Sequence, residues 1–199
     1  MELTAQGLQC ERGGRIVFSG VGFALKAGEL LLLTGPNGSG KSSLLRLIAG
    51  LNDPAAGRIA LNGGHADLSI GQQSHYVAHQ DAIKPALTVA ENLEFWRGVL
   101  GGGDVKRALA ALDLARLATY PAALLSAGQK RRLALARVAL VARVLWLLDE
   151  PTTGLDKNSR LLLCRLMQAQ LDAGGLIIAA THVPLGIEAQ RQLDLGEPS

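Results

Sequence analysis

Cysteine, long apolar runs and blocks of like charge are all scarce in this sequence, and each shortage excludes a class of protein. Two cysteines, Cys10 and Cys164, are too few and too far apart for a disulfide framework or a zinc site. They read as reduced thiols of a cytosolic protein, where pairing is rare. The longest apolar candidate, residues 138–148, is broken by Arg143 and falls short of the about 18–20 residues that cross a bilayer. The start, Met1-Glu2-Leu3-Thr4, lacks the basic and then apolar pattern of a secretory signal, so a cytoplasmic compartment is expected. Basic and acidic residues nearly balance, 20 against 17, for a net charge of +3 without a basic cluster. No nucleic-acid partner is expected from that balance.

What is present is a chain of 199 residues, 48% hydrophobic and 19% charged. It is too apolar for disorder and long enough to bury a core without disulfide or metal staples. Residues 15–18 and 23–26 read as short strands punctuated by Gly13-Gly14 and by Gly20 and Gly22. Residues 29–34 carry four consecutive leucines, the texture of a strand buried on both faces. A helix over 43–49 follows, stopped by Gly50, and then strands at 57–61 and 76–78. Between 87 and 125 the texture turns helical, with Val105, Leu109 and Leu112 on one face and Gly101-Gly102-Gly103 before them as a flexible joint. Helix 126–142, strand 144–148, helix 157–172 and strand 176–180 complete the pattern. This alternation predicts a parallel sheet covered by helices. The reading is one α/β domain over 1–199, with a helical insertion at about 85–125 and no internal repeats.

Three segments carry chemistry. Gly35-Pro36-Asn37-Gly38-Ser39-Gly40-Lys41-Ser42, with Ser43 next, fits G-x-x-x-x-G-K-[ST] between a buried strand and a helix. Glycines let successive backbone N–H groups curl around phosphate oxygens, and the helix N-terminus adds positive potential. Lys41 supplies a cation for the outer phosphates and Ser42 a hydroxyl for Mg²⁺. The plain alternative is a Gly-rich turn, but a chance match has odds on the order of one in a hundred at this chain's usage. Secondly, the apolar strand at 144–148 ends in Asp149-Glu150, placing carboxylates at the sheet edge where α/β folds bind ligands. Asp149 can hold Mg²⁺ and Glu150 can polarise a water; a solvated acidic turn is the alternative. Thirdly, Ser126 and Gln129 in Leu125-Ser126-Ala127-Gly128-Gln129 form a capping box, or else a second phosphate-binding helix N-terminus.

Leu125-Ser126-Ala127-Gly128-Gln129 followed by Lys130-Arg131-Arg132 resembles the signature of ABC-type ATPases. Gln80 resembles their Q-loop glutamine, Thr153-Gly154-Leu155-Asp156 their D-loop, and His182 their switch histidine. The resemblance spans essentially the whole chain. It implies a P-loop NTPase fold, with a mainly parallel sheet, an N-terminal antiparallel β subdomain and a helical subdomain. It also implies a homodimer in which each ATP lies between one P-loop and the partner's Ser126, Gly128 and Gln129, with Asp156 nearby. In that scheme Glu150 is the base, His182 and Gln80 position water and γ-phosphate, and Ser42, Asp149 and Gln80 serve Mg²⁺. Family members mostly stack adenine on an N-terminal aromatic ring, but none precedes Phe18 here. Glu11 or Arg12 stands in that region; the guanidinium of Arg12 can stack on a base, or adenine specificity is loose.

A narrower resemblance, to the ATPase subunit of the bacterial cytochrome c maturation system, is carried by several stretches. They are Cys10-Glu11-Arg12 with Phe18-Ser19-Gly20, residues 125–137, and Leu145-Trp146-Leu147-Leu148-Asp149-Glu150-Pro151. The short stretch after His182 also suits that family. It implies haem handling, either export or release of a haem-loaded chaperone, at the cytoplasmic face of the inner membrane. The implied partners are an integral membrane subunit and other maturation proteins. The insertion and the Gln80 loop are the expected docking surface, with Phe95-Trp96 serving either that contact or core packing. The ATPase of another small transporter fits the same motifs; a ribosome- or DNA-acting member fits less well, lacking a second domain or a long coiled coil. His65, His75 and His79 match no defined haem-ligand motif and read as ordinary residues.

Overall fold

The eight strands and five helices of the computed structural model, which describes residues 1–196, sort into two sheets and an inserted helical layer. In chain order they are β1 (Glu2–Arg12), β2 (Arg15–Lys26), β3 (Leu30–Thr34), α1 (Lys41–Ile48), β4 (Ala56–Asn62), β5 (Ser74–Val77), α2 (Val89–Leu100) and α3 (Val105–Ala111). After them come α4 (Ala127–Leu140), β6 (Leu145–Asp149), α5 (Lys157–Asp172), β7 (Leu176–Ala180) and β8 (Arg191–Asp194). One sheet is antiparallel, in the order β2-β1-β4; the other is parallel, in the order β5-β6-β7-β3-β8.

The parallel sheet is apolar on both faces because both are covered. Every residue of β6 and β7 is buried, and the period of two along each strand divides them between two cores. Trp146, Leu148, Ile177 and Ala179 join a core with Leu133, Leu163 and Met167 from α4 and α5. Leu145, Leu147, Leu176 and Ile178 join another with Leu44, Leu45 and Ile48 of α1 and with Leu3, Leu8 and Leu25 of the antiparallel sheet. Each large side chain so buried stabilises the fold by about 1.5–3 kcal/mol. A polar residue at either set of positions faces a core, so these strands contain none before Asp149.

Register decides what happens at the sheet's edge. Leu33 and Asp149 both lie opposite Ala180, and Val77 lies opposite Leu148. The chain therefore leaves β3, β5, β6 and β7 at one level, and the segments beginning at Gly35, Ala78, Glu150 and Thr181 emerge together along one rim.

Three sequence expectations need correction. The stretches 15–18 and 23–26 are the two ends of one strand, β2, bound to a β1 that the periodicity did not reveal because register shifts interrupt its pairing. Strand β8, three of whose four residues are polar and exposed, has no apolar pattern to predict it; it is held as a parallel edge strand beside β3. The Gly101-Gly102-Gly103 run, expected as a flexible joint, is a largely exposed turn with hydrogen bonds at both ends. Gly101 closes α2 with φ 81°, a Cβ on Gly103 would run into the Leu140 carbonyl, and the Asp104 N–H donates to that same carbonyl at 3.1 Å. Asp104 then caps α3, whose Leu109 is buried as expected, together with Leu112 just beyond its end. Among the described residues no helix is long and apolar enough to cross a membrane.

Candidate nucleotide site

The loop between β3 and α1 is shaped by what packs against it. Gly40 has φ 98°, and a Cβ there would lie 2.7 Å from Phe18 Cδ1 and 2.8 Å from Val17 Cγ1 of β2. Only glycine accepts both that backbone and that neighbour. Because Gly40 is also the N-cap, no side chain caps α1, and its first turn carries no acid. The first N–H groups of α1 thus stay available to an anion. Lys41 is buried, with Nζ donating to the carbonyls of Gly35 at 2.7 Å and Pro36 at 2.8 Å. Those bonds hold the ammonium against the loop it would share with a phosphate.

A cavity of about 420 Å³ opens over this loop, lined by Asn37, Gly38, Gly40, Lys41, Ser42 and Ser43 together with Val17, His79, Asp149 and Glu150. Its donors are backbone N–H groups and one ammonium, and its acceptors are two carboxylates and hydroxyls. That set suits a polyphosphate with a hard cation. The Ser42 hydroxyl and the Asp149 carboxylate, both on its wall, are oxygen donors of the kind Mg²⁺ takes alongside phosphate oxygens.

Glu150 has φ 46°, a left-handed backbone uncommon for a residue with a side chain. Its N–H donates to the Ala180 carbonyl at 2.8 Å, which seats the turn on β7. Its Oε2 accepts from Thr181 Oγ1 at 3.1 Å, and its Oε1 lies 3.9 Å from His182 Nε2. Thr181 is buried and His182 half exposed, so the carboxylate is fixed on one side and open on the other. Such a group can accept a proton from a water beside the outermost phosphate.

Not every expected residue meets there. Gly35 and Pro36 shape the loop and hold Lys41, while Ser39 is buried with its hydroxyl unpartnered. Gln80 is exposed and does not line the cavity; His79, one residue earlier, does. Arg12 sits exposed at the β1–β2 hairpin opposite Arg15, and from this sheet it is Val17 that reaches the cavity wall. Ser126 is exposed in a complete capping box: its Oγ accepts from Gln129 N–H at 3.2 Å, and Gln129 Oε1 accepts from Ser126 N–H at 2.8 Å. Gly128 packs where a Cβ would come within 3.0 Å of the Gly154 carbonyl. Asp156 caps α5 by accepting from Ser159 N–H at 2.7 Å, which holds its carboxyl below the usual range. None of Ser126, Gly128, Gln129 and Asp156 lines the cavity over Lys41. Read from the sequence, Thr181, His79 and Arg131 have no role in the site: His79 reads as an ordinary residue, and the partners of Thr181 and Arg131 lie far away along the chain.

A family profile described as ABC transporter matches residues 18–153. The chain belongs to that family. It is an ABC-type ATPase, and the antiparallel sheet, parallel sheet and inserted helices are the family's fold. The ATPase is 55% identical over 198 residues to the "Cytochrome c biogenesis ATP-binding export protein CcmA" of Rhodopseudomonas palustris (strain BisB5), covering 98% of each chain. It is 54% identical, with the same coverage, to the protein of that name from Nitrobacter winogradskyi. Among solved structures, an ATP-binding subunit of an ABC transporter superposes with a TM-score of 0.82 at 26% identity, covering 92% of this chain and 80% of that one. An ABC transporter ATP-binding protein from Pyrococcus furiosus shares the fold with a TM-score of 0.83, at 21% identity and 98% coverage of both.

Proposed function

We propose that this ATPase drives a membrane ABC complex for c-type cytochrome biogenesis, coupling ATP binding and hydrolysis to haem export or to release of a haem-loaded chaperone. Its relatives along nearly the whole chain carry the name of a cytochrome c biogenesis export protein. The observation that carries the mechanism is the separation of two phosphate-binding segments. Lys41 and Glu150 share a cavity, while the exposed, side-chain-capped helix start at Ser126 lies outside it. One chain offers each nucleotide half a site. A second copy supplies the other half, with its Ser126, Gly128, Gln129 and Asp156 brought over the nucleotide on this chain's P-loop.

In that sandwich the α1 N-terminus and Lys41 bind the phosphates, and Ser42 and Asp149 would hold Mg²⁺, which supplies charge neutralisation on the phosphate oxygens when bound. Glu150 takes the proton of the attacking water. Thr181 donates to Oε2 of that carboxylate and leaves Oε1 free beside His182, which lies outside the cavity lining and would orient the γ-phosphate once the site closes. Gln80 would reach the site only after its loop moves inward. Binding closes the dimer because the closed state alone offers contacts from both chains, and hydrolysis removes them.

A membrane subunit would dock on the cleft between the end of α1 and α2, where a cavity of about 240 Å³ is lined by Leu51, Trp96, Leu100 and Arg137 among others. Exposed Leu51, Phe95 and Val99 lie around it. Trp96 serves packing as well, stacking under the Arg137 guanidinium at 4.3 Å, whereas Phe95 is 41% exposed. This docking puts the chain at the cytoplasmic face of the inner membrane as a peripheral subunit.

Glu150→Gln tests the mechanism. Loss of a general base lowers turnover by about 10²–10⁴-fold. The variant is expected to bind ATP–Mg²⁺ with native affinity and to elute as an ATP-dependent dimer. Turnover at the native rate would remove Glu150 from the role of base. Co-purification of the membrane partner tests the assignment: cytochrome c assembly factors support it, and a permease with a solute-binding protein overturns it.

A further inference from the structure

The Arg131 side chain makes five hydrogen bonds beside the nucleotide cavity, yet it does not line that cavity. It sits on α4, five residues after Ser126, with its side chain 4% exposed. Nη1 donates to the Ala78 carbonyl at 2.9 Å and to Asp81 Oδ1 at 2.8 Å. Nη2 donates to the carbonyls of Asp149 and Glu150, both at 2.8 Å, and Nε faces the Pro151 carbonyl at 3.4 Å. A guanidinium has five N–H donors in a rigid planar fork, and here each has a partner. An ammonium, with three donors at one point, cannot span the same acceptors.

These acceptors belong to two segments that emerge at one rim of the sheet. One is the turn carrying Asp149 and Glu150; the other is the loop from Ala78 to Asp81, which carries His79 on the cavity wall and Gln80. Glu150 occupies a left-handed backbone, and the peptide unit that leads into it is tied at both ends, the Asp149 C=O to Arg131 and the Glu150 N–H to Ala180; the Glu150 C=O accepts from Arg131 and also from the Thr153 N–H at 3.2 Å. Without Arg131 the Asp149 carbonyl is released and only Thr153 still holds that of Glu150, so the preceding peptide can rotate toward a more favourable φ and the carboxylate shifts with it. Releasing Asp81 frees the loop while leaving the bonds to Asp149 and Glu150 in place.

We propose that Arg131 is a positioning residue for hydrolysis. It holds Glu150 in its water-activating pose and makes that pose depend on the seated 78–81 loop, so nucleotide binding and turnover are separable. The inference rests on Glu150 being the base. Displacement of a reacting group by about an ångström costs on the order of a hundredfold in rate, whereas Lys41 and the α1 N-terminus, which bind the phosphates, have no contact with Arg131.

The test uses the full chain with Arg131→Lys, Arg131→Gln and Asp81→Ala, measuring kcat, KM, the affinity for a fluorescent ATP analogue with Mg²⁺, and thermal unfolding. For Arg131→Lys and Arg131→Gln, kcat is expected to fall by about 10–100-fold while nucleotide affinity stays within about twofold of native. Asp81 is a quarter exposed, so Asp81→Ala is expected to fold normally and to show the same kcat-only loss in smaller degree. The proposal is overturned if Arg131→Lys restores native kcat, since the planar fork is then not needed. It is also overturned if nucleotide affinity falls in step with kcat, or if Asp81→Ala turns over natively; the last outcome decides even where the Arg131 variants fail to fold. Glu150→Gln run in parallel separates the two readings. If it retains turnover, the base assignment fails; if it is inactive while Arg131→Lys and Asp81→Ala are native, only the positioning role fails.

Discussion

Acid should weaken this fold through one histidine. His75 is the second residue of β5, opposite Trp146, and 4% exposed. Its Nε2 lies 2.7 Å from the Val141 carbonyl, which can only accept, so that nitrogen carries the proton of a neutral ring. A second proton has no carboxylate to meet it. Burial, more than any other cause, pushes the pKa from 6.5 down to about 4; the Val141 bond opposes this, and the charges of Arg143 and Arg137 add to the depression. The unfolded chain protonates this ring near pH 6.5 and the folded chain does not until about pH 4. Stability supplied by the neutral ring is therefore complete above pH 6.5 and drains away as pH falls toward 4. Linkage over that gap costs about 2 kcal/mol between pH 7 and 5, and about 3 kcal/mol in all. Set against a typical total of about 5–15 kcal/mol, that is a substantial share. Urea unfolding at pH 7, 6 and 5 of the native chain and of His75→Gln, whose amide can still donate to Val141, isolates the effect, because the carboxylates common to both cancel. The native chain should lose about 2 kcal/mol more than the variant between pH 7 and 5. Parallel pH dependences would refute the account.

Two further outcomes follow from the site. Gly40→Ala meets both a left-handed backbone, worth about 1–2 kcal/mol, and the Val17 and Phe18 side chains, so it should lower the melting temperature and abolish ATP binding measured by calorimetry; native affinity would show that β2 yields. Ser126→Ala removes the acceptor for Gln129 N–H and should cost about 1 kcal/mol of stability, with ATP still bound at the P-loop but turnover lost; native turnover would mean that Ser126 does not complete a neighbouring site.

The extent to which the sequence announced this site depended on how local each feature is. The loop Gly35–Ser42 was legible because strand, glycine turn and helix start are contiguous, and Asn37, Gly38, Gly40, Lys41 and Ser42 of it line the cavity of about 420 Å³. The capping boxes at Thr88 and Ser126 span three residues and carry their own acceptors and donors; that at Ser126 was read directly. By contrast, β1 was hidden by breaks in its alternation, and β8 by its polar edge, since each owes its place to a partner strand. Motif order assigns Gln80 to the site, and Arg12 is one alternative for stacking on adenine, but the described geometry puts His79 and Val17 on its wall, because which residue of a loop turns inward depends on what anchors the loop.

By itself, then, the sequence determined the chemistry available: a phosphate loop, an acidic strand end, a capped second helix start and strands too apolar to be anything but buried. Tertiary structure decided how that chemistry is assembled. Parallel register set Gly35, Ala78, Glu150 and Thr181 on one rim, kept Ser126 apart from them, and gave Arg131 acceptors as many as 53 residues away. Spacing along the chain records only neighbours within a turn or two, and contacts made through a packed sheet leave no such period to read.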